Sequence, residues 1–173
     1  GFGAVLSHRM DGISRGSSVL VSLADKPEQE VLLKKKAAHH LSFSKGTSSQ
    51  DYPRSLMGCI ALLRQTWYDA NWYAGGGREK EQNLSLEAWN ELQGIPHIFT
   101  VGNKLEVLRA ARMGEEFGKS FLYKGAGDEY QRLEAIAALE AAVILPLDFP
   151  TPYDVSDPSD AEPVDLADLK HWE

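Results

Sequence analysis

Five histidines stand among the residues that could do chemistry, and their spacing limits what they could do together. His8 closes an apolar run and is followed by Arg9 and Asp11, so one polar loop holds an imidazole, a guanidinium and a carboxylate. A strand-end loop of that make-up is where barrel enzymes place reactive groups, although no partner outside the loop can be named. His39 and His40 are adjacent, and successive residues of a strand point to opposite faces. They are therefore expected to divide between the faces, one of them exposed. His97 and Thr100 are separated in the same way, and His171 lies near the carboxyl end. Asp128 and Glu129 resemble an acid-base pair, but Asp128 is placed to cap a helix, with Gln131 in the capping-box position and Glu129 near the positive end. The loop Gly125, Ala126, Gly127 ahead of that helix could cradle a phosphate, without matching a phosphate-loop fingerprint.

The elements that must position these residues are clearest over 95–147. An apolar strand is expected at 95–101. Asn103 caps the next helix with Glu106 three residues on, and Val107, Leu108, Ala111, Gly114 and Phe117 form its apolar stripe. Gly118 ends it, 120–123 is the next strand, and Leu133, Ile136 and Ala137 give the second helix its stripe before a third strand at 142–145. Strands separated by helices of this length imply a parallel sheet covered by helices. Upstream, strands are expected at 3–7 and 18–23 around a tight polar loop at 8–16, with further strands at 31–33 and 39–43. A long helix is expected from Pro53 to about Tyr73, stopped by the glycines at 75–77, and Ser85 is expected to cap a short helix through Leu92. Trp67, Tyr68, Trp72 and Tyr73 put aromatic rings on several faces of the long helix, which suggests packing against a second layer or a neighbouring domain.

At 173 residues, 43% hydrophobic and 25% charged, the chain has the composition of a globular domain able to bury a core. The formal charge of −7 is localised. Residues 147–173 hold eight acidic residues and one lysine, whereas 1–146 hold seventeen of each sign. Two regions follow: an α/β segment at 1–146 and an acidic, proline-rich segment at 147–173, read as extended and solvated. The triple lysine at 34–36 reads as a solvated face. No basic and aromatic cluster suits nucleic acid, and no apolar run is long enough to cross a membrane. The lone Cys59 excludes an internal disulfide and falls at a buried helix position.

The segments 1–6, 15–23, 42–46 and 55–64, followed by 95 onward, resemble in order and wording the imidazolonepropionase-related branch of the amidohydrolase superfamily. The stretches 115–118, 125–130 and 144–146 are similar to the family's segments after the fifth, sixth and seventh strands. The resemblance implies a partial (β/α)8-barrel-like parallel sheet with covering helices. It also implies hydrolysis of amide or cyclic amide bonds by water activated on a divalent metal at the carboxyl ends of the strands. The family's histidine at the fifth strand corresponds to Thr100, a second one to Gly102, and the sixth-strand histidine to Gly125. The fourth-strand position falls near Lys45, which would serve only if carboxylated. A hydroxyl and two glycines do not replace imidazoles.

The leading expectation is thus an amidohydrolase-like module that holds no metal and no other cofactor and is catalytically inactive. It would play a structural or interaction role in a longer protein, partnered by the remainder of a barrel or by its own copy across open sheet edges. The first alternative is a zinc- or other metal-dependent hydrolase completed by regions outside this segment. The second is a small-molecule binding module. The strand-end candidates are His8, Asp11, Lys45, Thr100, Gly102 and Gly125.

Overall fold

The computed structural model of the chain describes residues 2–147; the acidic segment beyond Leu147, with His171, lies outside them. The first third is mostly β-structure: β1 (Ala4–Ser7), β2 (Ser14–Ser17), β3 (Val19–Ser22), a single turn of helix α1 (Glu28–Val31) and β4 (Leu32–Lys34). Strands β1, β3 and β4 make a small antiparallel sheet of their own, in the order β1-β3-β4. The larger sheet runs β2-β5-β6-β7-β8, with β5 (His39–Ser42), β6 (His97–Thr100), β7 (Phe121–Lys124) and β8 (Val143–Ile144). Strands β5 to β8 are parallel, and β2 lies antiparallel on the outer edge of β5 with a register shift between Ser14 and Ser17. Four helices connect or follow these strands: α2 (Leu56–Ala74), α3 (Leu84–Glu91), α4 (Lys104–Phe117) and the short α5 (Leu133–Ala137). The fold is α/β, a partial barrel-like parallel sheet with covering helices; the repeat predicts the covered parallel sheet, and the resemblance implies the barrel.

The register assigns each residue of the sheet to a face. His39, His97 and Phe121 are in register, as are Leu41, Phe99 and Tyr123, and this set packs into the core with Leu63, Trp67, Trp89, Val107, Ala110 and Met113 of the helices. Trp67 organises that layer. Its indole is 2% exposed, meets Trp89 edge-on at 5.2 Å and stacks on Phe117 at 5.1 Å, so α2, α3 and α4 converge on one ring. The alternate residues, His40, Ile98 and Leu122, then Ser42, Thr100 and Lys124, form the face turned away from the helices.

Several boundaries differ from expectation. The loop at 8–16 is not irregular throughout, because Ser14 begins β2; its sequence has no apolar alternation, and pairing with β5 supplies the strand. The long helix starts at Leu56, since the Ser55 hydroxyl accepts from Gly58 and takes the cap three residues after the bond between Tyr52 and Pro53. Asn83, rather than Ser85, caps α3, its side-chain oxygen accepting from Ser85 and Leu86. Asn103 and Gly118 cap α4 as predicted, with Gly118 left-handed at φ 62°. Tyr73 is buried with Trp67, while Tyr68 and Trp72 remain about half exposed.

Candidate functional site

The carboxyl ends of β6 and β7 share one construction. After β6, the Gly102 amide donates to Glu106 Oε2 at 2.7 Å; after β7, the amides of Ala126 and Gly127 donate to the two carboxylate oxygens of Glu129 at 2.6 and 2.9 Å. In each case a glycine is followed four residues later by a glutamate whose carboxylate folds back over it. A Cβ at Gly125 would lie 2.5 Å from Glu129 Oε1, and one at Gly102 would meet Glu106 at 3.4 Å. The space beside each glycine is thus held by a carboxylate, and Glu129 is only 6% exposed.

This geometry corrects the reading of 125–131. Asp128 does not cap its own helix: its carboxylate accepts from the Lys104 amide at 2.8 Å, at the start of α4, and burial raises its pKa more than that bond lowers it. Glu129 holds the loop instead, and the chain forms a 3-10 turn over Glu129–Arg132 before α5. Gln131 bonds the Lys104 ammonium rather than closing a capping box. The loop is not a phosphate cradle either, because the amides of Ala126 and Gly127 already donate to Glu129.

The amino-terminal candidates come together with β5. Asp11 forms an antiparallel bridge with Gly46 and pairs with Arg9 at 3.3 Å, and the Gly12 amide donates to the Lys45 carbonyl at 2.9 Å. The Lys45 ammonium donates to the Gln50 carbonyl, and its charge is felt by Cys59 on the helical side. Thr100 is in register with Ser42 and Lys124; its backbone carbonyl accepts from the Ser42 hydroxyl at 3.0 Å, while its own hydroxyl is buried without a hydrogen-bond partner.

The adjacent histidines divide between the faces as alternation requires, but neither is exposed. His39 is 0% and His40 2% accessible. His39 sits among Trp89 at 4.9 Å and His97 at 5.2 Å, with the Ser14 hydroxyl 3.5 Å from Nε2. Burial, with His97 and His40 adding like-charge repulsion, holds its pKa down to about 3. On the opposite face the His8 ring stacks on His40 with centroids 3.8 Å apart, which covers the side expected to face solvent. Burial, followed by the charges of His8, Arg15 and Lys124, holds His40 down to about 4. Both imidazoles are neutral near pH 7. Sequence reasoning did not place Arg15, Ser42 and Lys124 on this face with His40; the pairing of Ser42, Thr100 and Lys124 follows from the register between strands, which no local pattern carries.

Among the described residues no three His, Cys, Asp or Glu side chains converge into a group able to hold a metal ion. Thr100 offers a neutral hydroxyl, Gly102 and Gly125 no side chain, and Glu106 and Glu129 are engaged by backbone amides, a donor set that does not fit a divalent metal. An open cleft of about 620 Å³ lies at the other end of the sheet, lined by residues including Pro96, His97, Lys119 and Ser120 at the amino ends of the strands. That is the end at which conservation and packing in barrels serve stability rather than catalysis. No described helix is long and apolar enough to cross a membrane.

No family model matches the chain, and neither does any curated protein. Among solved structures it is similar to the crystal structure of an amidohydrolase from Thermotoga maritima MSB8, with a TM-score of 0.71 and 17% sequence identity. The likeness covers 85% of this chain and 43% of that one. At that identity it speaks for the fold alone. The chain has an amidohydrolase-like α/β fold and spans less than half the length of this neighbour.

Proposed function

We propose that this chain is an amidohydrolase-like module, related to the imidazolonepropionase-like branch, that holds no metal of its own and serves a structural or interaction role in a longer protein. The observation that carries this reading is the pair of folded-back carboxylates. Glu106 and Glu129 occupy the space beside Gly102 and Gly125 and accept from the backbone amides of their own loops, so the strand ends are lined by the chain's own carboxylates. Its partner is the remainder of a barrel, or a second copy meeting it across the open edges of the sheet.

The competing reading is a hydrolase of C–N bonds whose metal site is completed from outside the segment. Metal analysis of the purified chain after equilibration with zinc, manganese and iron separates the two. Substoichiometric metal, unchanged in His8→Ala and Lys45→Ala, is the expected result. Stoichiometric metal that either substitution removes would overturn the proposal.

A further inference from the structure

We propose that the exposed edge strand β1 is a pairing surface for a second copy of this chain, joined antiparallel about a two-fold axis at Val5. This pairing rests on the interaction role proposed above and gives it a strand and a register. The sheet of β1, β3 and β4 has no cover: every residue of β1 and β4 is exposed, none of β3 is buried, and no residue of the three strands belongs to the core. Three short strands that bury no face are marginal by themselves, and an uncovered apolar sheet marks a site of contact. Its two edges are unequal. Strand β4 carries Lys34 ahead of Lys35 and Lys36, and its register with β3 shifts between Leu20 and Val21, features that block further pairing. Strand β1 holds Ala4, Val5, Leu6 and Ser7, with no charge, no proline and an unbroken register against β3.

The ladder determines which backbone groups are free. The Leu23 amide donates to the Gly3 carbonyl at 3.0 Å, in the register that pairs Ala4 with Ser22, so Gly3, Val5 and Ser7 turn their N–H and C=O groups toward β3. Those of Ala4 and Leu6 are left at the open edge. The antiparallel register that pairs all four free residues of two copies with one another sets Ala4 of each against Leu6 of the other, and Val5 then falls opposite Val5 on the axis. The side chains support that register. Val5 lies beside Val21, and Val21 beside Leu32, so one face gains an unbroken aliphatic row of Leu32, Val21 and Val5 followed by the same three residues of the second copy in reverse order. A second copy supplies its half of the row by symmetry, and β1 sets no charge against a like charge.

The test is Val5→Cys and, separately, Leu6→Cys in the 173-residue chain, whose own Cys59 is buried, with disulfide-linked dimer followed under oxidised glutathione. Both positions are 39% exposed, so chance collisions would link them alike. On the axis the two Val5 Cα atoms face each other at about 4.5 Å, within the span of a disulfide, whereas the two Leu6 Cα atoms are out of step and more than about 7 Å apart. Val5→Cys is therefore expected to form linked dimer at least about tenfold faster than Leu6→Cys. Val5→Lys, which sets two ammonium groups opposite each other, should weaken association in sedimentation velocity by about tenfold. Equal linking at the two positions, or association that Val5→Lys leaves unchanged, would overturn the proposal. Ile144→Lys, on the other sheet, should leave the Val5→Cys link intact; loss of the link in that background would put the contact at β8 and overturn the β1 pairing while the interaction role stands.

Discussion

At the scale of single residues, the glycines at the strand ends are defined by what lies next to them. A methyl group at Gly125 must displace the Glu129 carboxylate from 2.5 Å and break its bonds to Ala126 and Gly127. Gly125→Ala is therefore expected to lower the unfolding free energy by about 1–3 kcal/mol in urea denaturation. Combined with Glu129→Ala, it should cost much less than the sum of the two single changes, because the clash goes with the carboxylate. Strict additivity would show that the two residues are not coupled. The sequence singled out Thr100, Gly102 and Gly125, but not the glutamates that answer two of them. A glutamate in the first turn of a helix reads as a capping-box or end-charge preference, and only the loop conformation turns it back onto the glycine four residues earlier. The buried histidines make a second test. Unfolded imidazoles take up a proton near pH 6.5, whereas His39 and His40 resist until about 3 and about 4. Below 6.5 the unfolded chain binds more protons, so stability falls with pH through that window by about 1.4 kcal/mol per unit for each group. Between about pH 7.5 and about pH 5 the pair should remove on the order of 4 kcal/mol, and His39→Leu should abolish about half of that dependence. An unchanged pH profile in that variant would refute the assignment.

At the scale of elements, α4 was the most legible because its local signals agree with its packing. Asn103 caps it, Gly118 ends it, and Val107, Ala110 and Met113 meet the sheet. Its one unusual position is Gly114, where a Cβ would lie 2.5 Å from the Lys119 backbone carbonyl oxygen and 3.0 Å from the Phe121 ring. Alanine would gain about 1 kcal/mol of helix propensity there, yet the contact is with backbone that cannot turn aside. Gly114→Ala should therefore be net destabilising by about 1–2 kcal/mol, read from the urea midpoint; a stabilised variant would mean that β7 can yield. The elements the sequence misplaced are those made by distant partners. Strand β2 exists because β5 offers it an edge, and α5 starts late because Asp128 serves α4 while Glu129 serves its own loop. Neither effect has a local signature.

At the scale of the whole molecule, the order of strand and helix in the second half made the parallel sheet readable, whereas the separate sheet of β1, β3 and β4 was not, since pairing between short apolar runs is set by tertiary fit. The small sheet and the end of the large one expose Val5, Leu6, Leu33, Ile144 and Leu145. With seventeen charges of each sign over residues 1–146, charge balance gives this body little reason to repel its own copy. The proposed partnership predicts concentration-dependent association in sedimentation velocity, weakened by Ile144→Lys at the β8 edge; a monomer at every concentration, with high thermal stability, would count against it.

The two edges of the larger sheet are unequal. The outer strand β2 carries the register shift between Ser14 and Ser17 and runs against its neighbour, whereas β8 ends the sheet in register with β7. A shifted, irregular ladder is a poor template for further pairing. Among the described residues the larger sheet therefore has one receptive end, and two copies that join there use it up. Under the proposed self-association, such a pair closes the larger sheet, and its growth stops at two molecules.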